Sequence, residues 1–134
     1  VDGGPSATGT VGHVKMKGQD VFKHAVEKLA SAMNEAIDKA GHHPEDIDWL
    51  IPHQANIRII DGMQRKLGLP AERVVRCVAK HANTSAASIP LALTEAVQDG
   101  RVKAGHLLAF EAIGGGLSWG ASLVRFGRPS KKNS

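Results

Sequence analysis

The stretch Asp48-Trp-Leu-Ile-Pro-His-Gln-Ala-Asn56 carries the reading of this chain. Its short apolar run is stopped by Pro52, which spells a buried strand, and the polar segment that opens at His53 starts just past the strand end. Upstream, Phe22, Val26, Leu29, Met33, Ile37 and Ala40 recur at steps of three and four, so a helix is predicted over Val21 to Ala40, with Gly41 placed to end it. Downstream, Ala55 to Leu67 reads as a second helix closed by Gly68 and Pro70. Arg73 to Ala79 is rich in β-branched residues and predicts a strand. Thr84 to Gln98 predicts a small-residue helix with Pro90 near its first turns and Gly100 at its end. The apolar runs His106 to Ile113 and Leu117 to Phe126 flank Gly114-Gly115-Gly116, a spacing that suits two adjacent strands with a tight connection. Strand and helix alternate until this closing pair, so the fold class is α/β, a mixed β-sheet covered by helices.

Composition bounds the rest. With 134 residues, 42% hydrophobic and 22% charged, the chain can bury one sizeable core but not two ordinary domains. Its net charge of +4 comes with acidic residues interleaved through most of the length, which argues against a nucleic acid or a membrane surface as partner and suits an acidic protein or a phosphorylated ligand. A single cysteine, Cys77, excludes an internal disulfide framework and fits a reducing, cytoplasmic compartment. No apolar run approaches the roughly 18 residues of a membrane-spanning helix. The organisation expected is a glycine-rich lead-in loop over 1–12, cut from something longer, one domain over 13–126 and a solvated basic tail over 127–134.

Three polar groups follow strand-like runs: Pro52-His53-Gln54-Ala55-Asn56, His81-Ala82-Asn83-Thr84-Ser85-Ala86-Ala87-Ser88, and Ala112-Ile113-Gly114-Gly115-Gly116. Ligands of open α/β sheets gather at strand ends, where helix N-termini offer unpaired donors. A histidine and an asparagine placed there can converge on one substrate oxygen while glycine amides serve another, an oxyanion arrangement that lacks only a nucleophile. Each piece also has a plainer reading: His53 as a structural histidine, Asn83 as a helix N-cap, the triple glycine as a tight turn. Cys77, inside Val74-Val-Arg-Cys-Val-Ala79, reads as a small buried hydrophobe rather than a nucleophile. His42 and His43, beside Asp46 and Asp48, read as a solvated loop rather than a metal site, because adjacent histidines do not face one another.

Taken together, Asp48 to Asn56, Asn83-Thr-Ser-Ala-Ala-Ser-Ile-Pro90, the triple glycine followed by Leu117-Ser-Trp-Gly120, and the closing Leu123-Val-Arg-Phe126 resemble the C-terminal half of β-ketoacyl-acyl-carrier-protein synthase III, a thiolase-fold condensing enzyme. The resemblance runs from about His13 to Phe126, with the motifs in family order. It implies a Cys-His-Asn triad whose histidine is His53 and whose asparagine is Asn83, with the backbone N–H of Gly115 facing an oxyanion. It further implies that Gly18, Phe22, Ala25 and Asn56 lie near the pantetheine arm and that Lys23, Arg58, Arg65 and Lys66 form a basic face for acyl carrier protein. The reaction implied is decarboxylative condensation of an acyl-CoA primer with malonyl-acyl-carrier-protein at the start of fatty acid synthesis, with no metal or redox cofactor. A homodimer is implied as well. The cysteine nucleophile is expected on an N-terminal half outside this chain.

Two positions depart from the family pattern: Ala82 stands where glycine usually precedes the asparagine, and Ile113 where phenylalanine usually precedes the triple glycine. Neither removes a catalytic group. The rival readings are a related condensing enzyme of a quinolone, polyketide or olefin pathway and a non-catalytic thiolase-like partner subunit. Retention of His53, Asn83 and the glycines argues against the second.

Overall fold

The computed structural model describes residues 18–127, with side chains from Phe22 onward. The lead-in over 1–12 and, past Gly127, the basic tail lie outside the described residues, as does the environment of Gly18, which opens the first helix.

Helix α1 spans Gly18–Lys39. Its buried stripe is Ala25, Leu29, Ala30, Met33 and Ile37, rotated slightly from the expected one, so that Val26 is half-buried while Phe22 and Ala40 face outward. The helix ends where Gly41 adopts φ +69°: its N–H bonds the Asp38 carbonyl and the next N–H, of His42, reaches back to Ile37. This closes two orphan carbonyls with a backbone turn that side chains disfavour. Strand β1, Trp49–Pro52, runs parallel to β2, Leu107–Gly114, which pairs antiparallel with β3, Ser118–Arg125. The sheet order is β1-β2-β3, a mixed sheet as expected.

Between β1 and β2 the chain makes α2 (Ile57–Lys66), the single turn α3 (Val78–His81) and α4 (Ser88–Gln98). Strand residues alternate between the two layers. Leu50, Leu107 and Ala109 pack with Ala25, Leu29, Met33, Ile60 and Met63 of α1 and α2, whereas Ile51 and Leu108 pack with Ala92 and Ala96 of α4. α2 lies close on α1 because position 62 is glycine: a Cβ there would stand 2.9 Å from Val26 Cγ2.

The expected strand over Arg73 to Ala79 does not form. Ala71–Arg73 is a 3-10 turn, Val74 makes one isolated parallel bridge to Leu50, and the chain then turns into α3. Val74 and Val75 still bury to opposite faces, as strand residues would. Their successors do not continue the ladder, because the Gln54 side chain takes the N–H groups of Cys77 and Val78 that a neighbouring strand would need. The expected helix over Thr84 to Gln98 is likewise divided into a 3-10 turn at Ser85–Ala87 and α4. Pro90 falls in the first turn of α4, where a missing N–H leaves no intrahelical bond unmade.

Candidate active site

His53 stands one residue past β1, and its backbone N–H extends the ladder by donating to the Glu111 carbonyl at 2.7 Å. The next residue locks the segment. Gln54 is fully buried: its amide nitrogen donates to the carbonyls of Pro52 (2.9 Å) and Val75 (3.2 Å), and its Oε1 accepts from the N–H of Cys77 (2.8 Å) and Val78 (3.1 Å). All four bonds are charge-neutral and enclosed, so the backbone carrying His53 has little freedom. The His53 ring meets α4, where Nδ1 lies 2.6 Å from Ser88 Oγ. Burial holds the His53 pKa below the ordinary histidine range, so the imidazole is neutral at pH 7.

A cleft of about 510 Å³ opens beside His53, walled by Ser85 and Ser88 on one side and by Ile113, Gly114, Ser118 and Trp119 of the hairpin on the other. Asn83 sits two residues before this wall and is exposed. Its Oδ1 accepts the Ser85 N–H at 2.9 Å, which identifies that end of the amide as oxygen and leaves the NH₂ end as the donor without a partner among the described residues. The turn that presents Asn83 is unusual: Ala82 adopts φ 57°, ψ −163° and Ser85 φ 55°. The Ala82 conformation belongs almost entirely to glycine and costs about 1–3 kcal/mol in a residue with a Cβ. Gly115 is exposed in the connection between β2 and β3; neither it nor Asn83 forms part of the cleft wall itself.

The other sequence-based candidates divide. Phe22, Arg58 and Arg65 come together with Asp61 around a cleft of about 390 Å³ between α1 and α2. Asp61 is taken by Arg76, whose Nη2 and Nε lie 3.1 and 3.2 Å from its Oδ1, so Arg58 and Arg65 have no ion-pair partner among the described residues. Lys23 and Lys66 are exposed nearby in sequence on the same two helices. Asn56 is the N-cap of α2, its Oδ1 accepting the Ile59 N–H at 3.0 Å. Ala25 has no exposed surface and packs in the α1 core stripe.

Cys77 is buried, donates its N–H to Gln54, and has its thiol pushed up by desolvation and by Glu95, which makes it a poor nucleophile. His42 pairs with Asp46 at 3.4 Å and the His43 N–H bonds the same carboxylate, a closed loop arrangement; among the described residues no three metal-ligating side chains gather. Two residues that the sequence reading did not single out matter here. Ser88 is 1% exposed and joins His53 to α4, its only signal being a polar residue at the first position of a helix. Glu111 is 2% exposed, with Oε2 unpartnered and its pKa pushed by burial to about 8; a lone carboxylate within an apolar strand was the signal available.

Residues 37–126 match the family model for the C-terminal region of 3-oxoacyl-[acyl-carrier-protein] synthase III. The chain belongs to the synthase III family. The β-ketoacyl-[acyl-carrier-protein] synthases III of Erythrobacter litoralis and Rhodospirillum centenum are 61% and 62% identical over 126 residues, 94% of this chain and 39% of each of those proteins. Among solved structures, the synthase III of Aquifex aeolicus superposes with a TM-score of 0.85 at 49% identity, covering 86% of this chain and 37% of that one. A priming β-ketosynthase of the R1128 polyketide pathway also reaches 0.85, at 34% identity, covering 92% of this chain and 37% of that one. The fold is therefore the C-terminal part of a synthase III, a thiolase-like α/β unit, and the chain spans about 39% of the length of the curated relatives it matches. Among the described residues no helix is long and apolar enough to cross a membrane.

Proposed function

We propose that this chain supplies the decarboxylation half of a synthase III active site, in a cytoplasmic, homodimeric enzyme that joins an acyl-CoA primer to malonyl-acyl-carrier-protein. Supporting this most directly is a neutral imidazole, held at a strand end by a part-buried hydrogen bond, beside a cleft that glycine backbone helps to wall. A neutral histidine has one ring N–H, which can be donated to a developing enolate oxygen. His53 and the NH₂ of Asn83 are the donors to the malonyl thioester carbonyl. As the carboxylate leaves as carbon dioxide, its bonding pair moves into the enolate, whose charge falls on that oxygen. The enolate carbon then attacks the acyl-cysteine carbonyl, the Gly115 N–H receives the resulting oxyanion, and its collapse expels the cysteine thiolate. That cysteine is assigned to the part of the family's length this chain does not span, and no resident cofactor is required.

The exposed cations of α1 and α2, with Arg58 and Arg65 unpaired among the described residues, suit an acidic carrier protein, since opposite charge speeds encounter. Phe22, beside them, and Asn56 are the side chains retained for the pantetheine arm. The second reading, a priming ketosynthase of a polyketide pathway, is favoured by the equal structural likeness to the R1128 enzyme.

The test separates the two chemical stages in the complete enzyme. His53→Ala and Asn83→Ala should each lower malonyl-carrier decarboxylation by about 10²–10³-fold, while acylation of the cysteine by acyl-CoA persists. Decarboxylation that survives both substitutions would sink the proposal. Comparing short straight, branched and polyketide-type primers in the acylation stage distinguishes the two readings.

A further inference from the structure

We propose that Ser88 is a positioning residue that sets the tautomer of His53: its hydroxyl accepts the Gln54 N–H, donates to Nδ1, and so leaves the ring hydrogen on Nε2. The inference rests on the proposed role of His53 for its catalytic consequence, but not for the tautomer itself.

The donors and acceptors around Ser88 Oγ can be counted, because the hydroxyl is enclosed. Ser88 is 1% exposed, and its Oγ has two neighbours within hydrogen-bond distance, Gln54 N at 3.1 Å and His53 Nδ1 at 2.6 Å. A serine hydroxyl has one hydrogen to give and two lone pairs to receive with. The Gln54 N–H can only donate, so it occupies one lone pair. If Nδ1 also carried a hydrogen, both neighbours would donate, and the hydroxyl hydrogen would be left inside the protein with no acceptor at either contact. An unmade buried donor costs about 1–3 kcal/mol. With Nδ1 as acceptor, all three groups are satisfied and the ring hydrogen moves to Nε2, which has no partner among the described residues.

The same count explains why protonation is resisted. An imidazolium carries hydrogen on both nitrogens, so it restores the conflict at Ser88, adding to the desolvation that already lowers the pKa. The chain of contacts is also rigid at both ends. Gln54 N is pinned by the four side-chain bonds of its own residue, and Ser88 is the first residue of α4, whose Ala92 and Ala96 pack against the sheet. The helix thus delivers a hydroxyl to one edge of the imidazole, and the opposite nitrogen faces away with its N–H intact. That is the form an enolate-stabilising donor needs.

The experiment is long-range ¹H–¹⁵N NMR of the histidine side chains in the complete enzyme, with His53→Gln used only to assign the signals. The expected result is His53 Nδ1 in the unprotonated range and Nε2 in the protonated range at neutral pH. A protonated Nδ1 in the unsubstituted enzyme overturns the proposal without recourse to any further variant. Ser88→Ala should turn the single tautomer into a mixture and lower malonyl decarboxylation by about 10- to 100-fold, as loss of an orienting hydrogen bond does elsewhere, with cysteine acylation unchanged. Ser88→Thr, which keeps the hydroxyl, should restore the tautomer. An unaltered tautomer in Ser88→Ala also overturns the proposal. If the tautomer shifts as expected but neither Ser88→Ala nor His53→Ala affects decarboxylation, the Ser88 assignment stands and the catalytic reading of His53 falls.

Discussion

The two segments that bring side-chain donors to the site are built in opposite ways. His53 rides on a strand end whose N–H is in the ladder, followed by a fully buried Gln54 with every side-chain group bonded, and its ring is anchored to α4. Asn83 rides on an exposed turn between α3 and the 3-10 turn at Ser85–Ala87, flanked by positive φ at Ala82 and Ser85 and tied by the Ser85 N–H, which donates to its side-chain Oδ1. One donor is positioned by satisfied polar groups that are expensive to disturb. The other is positioned by local backbone conformation that stores strain and is inexpensive to relax.

The contrast can be broken hardest at Gln54. Gln54→Ala would leave the N–H groups of Cys77 and Val78 and the carbonyls of Pro52 and Val75 without these partners. Relaxation recovers part of that loss, and a destabilisation of about 3–5 kcal/mol is expected, read as a fall in the urea midpoint of the enzyme. A midpoint within experimental error of the parent would show that the His53 arm is no stiffer than the Asn83 arm.

The second test acts behind the His53 segment, at Glu111, whose carbonyl receives the His53 N–H. Its carboxyl keeps its proton in the folded protein up to about pH 8, against an ordinary value of 4.5. Below pH 4.5 both folded and unfolded chains hold the proton, and burial of the neutral acid is unopposed. As pH rises from there the unfolded chain releases its proton first, so stability falls until about pH 8 and then levels off. Glu111→Gln removes this dependence. The variant should match the parent near pH 4.5 and exceed it by about 2–4 kcal/mol at pH 9, measured by denaturant titration at both values. A parent whose stability rises across this interval, relative to the Gln variant, would contradict the burial of a neutral carboxyl.

The smallest effect is expected at Ala82. Glycine carries no Cβ into φ 57°, ψ −163°, so Ala82→Gly should release strain while adding unfolded-chain entropy, a net stabilisation of about 1 kcal/mol. Thermal melting measures it. Destabilisation instead would mean that the Asn83 turn is unstrained and that the two arms differ only in exposure. The glycine that the family resemblance leads one to expect at this position agrees with the geometry, and Ala82 itself is exposed.

Much of the architecture could be read from local signals. The 3.6-residue stripe and Gly41 marked α1, Pro52 marked the end of β1, and the triple glycine joined β2 to β3. The misreading at Arg73 to Ala79 is instructive because the burial pattern of Val74 and Val75 was that of a strand. What ended the ladder was a side chain from Gln54, more than twenty residues earlier, competing for the same amide hydrogens. No window over residues 73–79 contains that competitor. The α1 stripe shows a smaller difference: Leu29, Met33 and Ile37 face inward as expected, while Ala25 and Ala30 are buried and Phe22 and Ala40 are exposed.

Residue order and residue type were enough to specify the α/β alternation and the strand-end histidine, because caps, breakers and hydrophobic periods act within about one or two turns of chain; the motifs between Asp48 and Phe126 carried the resemblance to the synthase III family. The neutrality of His53 and its contact with Ser88, the enclosure of Gln54, the raised pKa of Glu111 and the capture of Asp61 by Arg76 were settled by packing. Each depends on groups 15 to 35 residues apart, or on an opposing layer, meeting in a space from which water is excluded. Such meetings have no local signature, since hydrogen-bond partners and the effective dielectric around a charge exist only once the layers have closed.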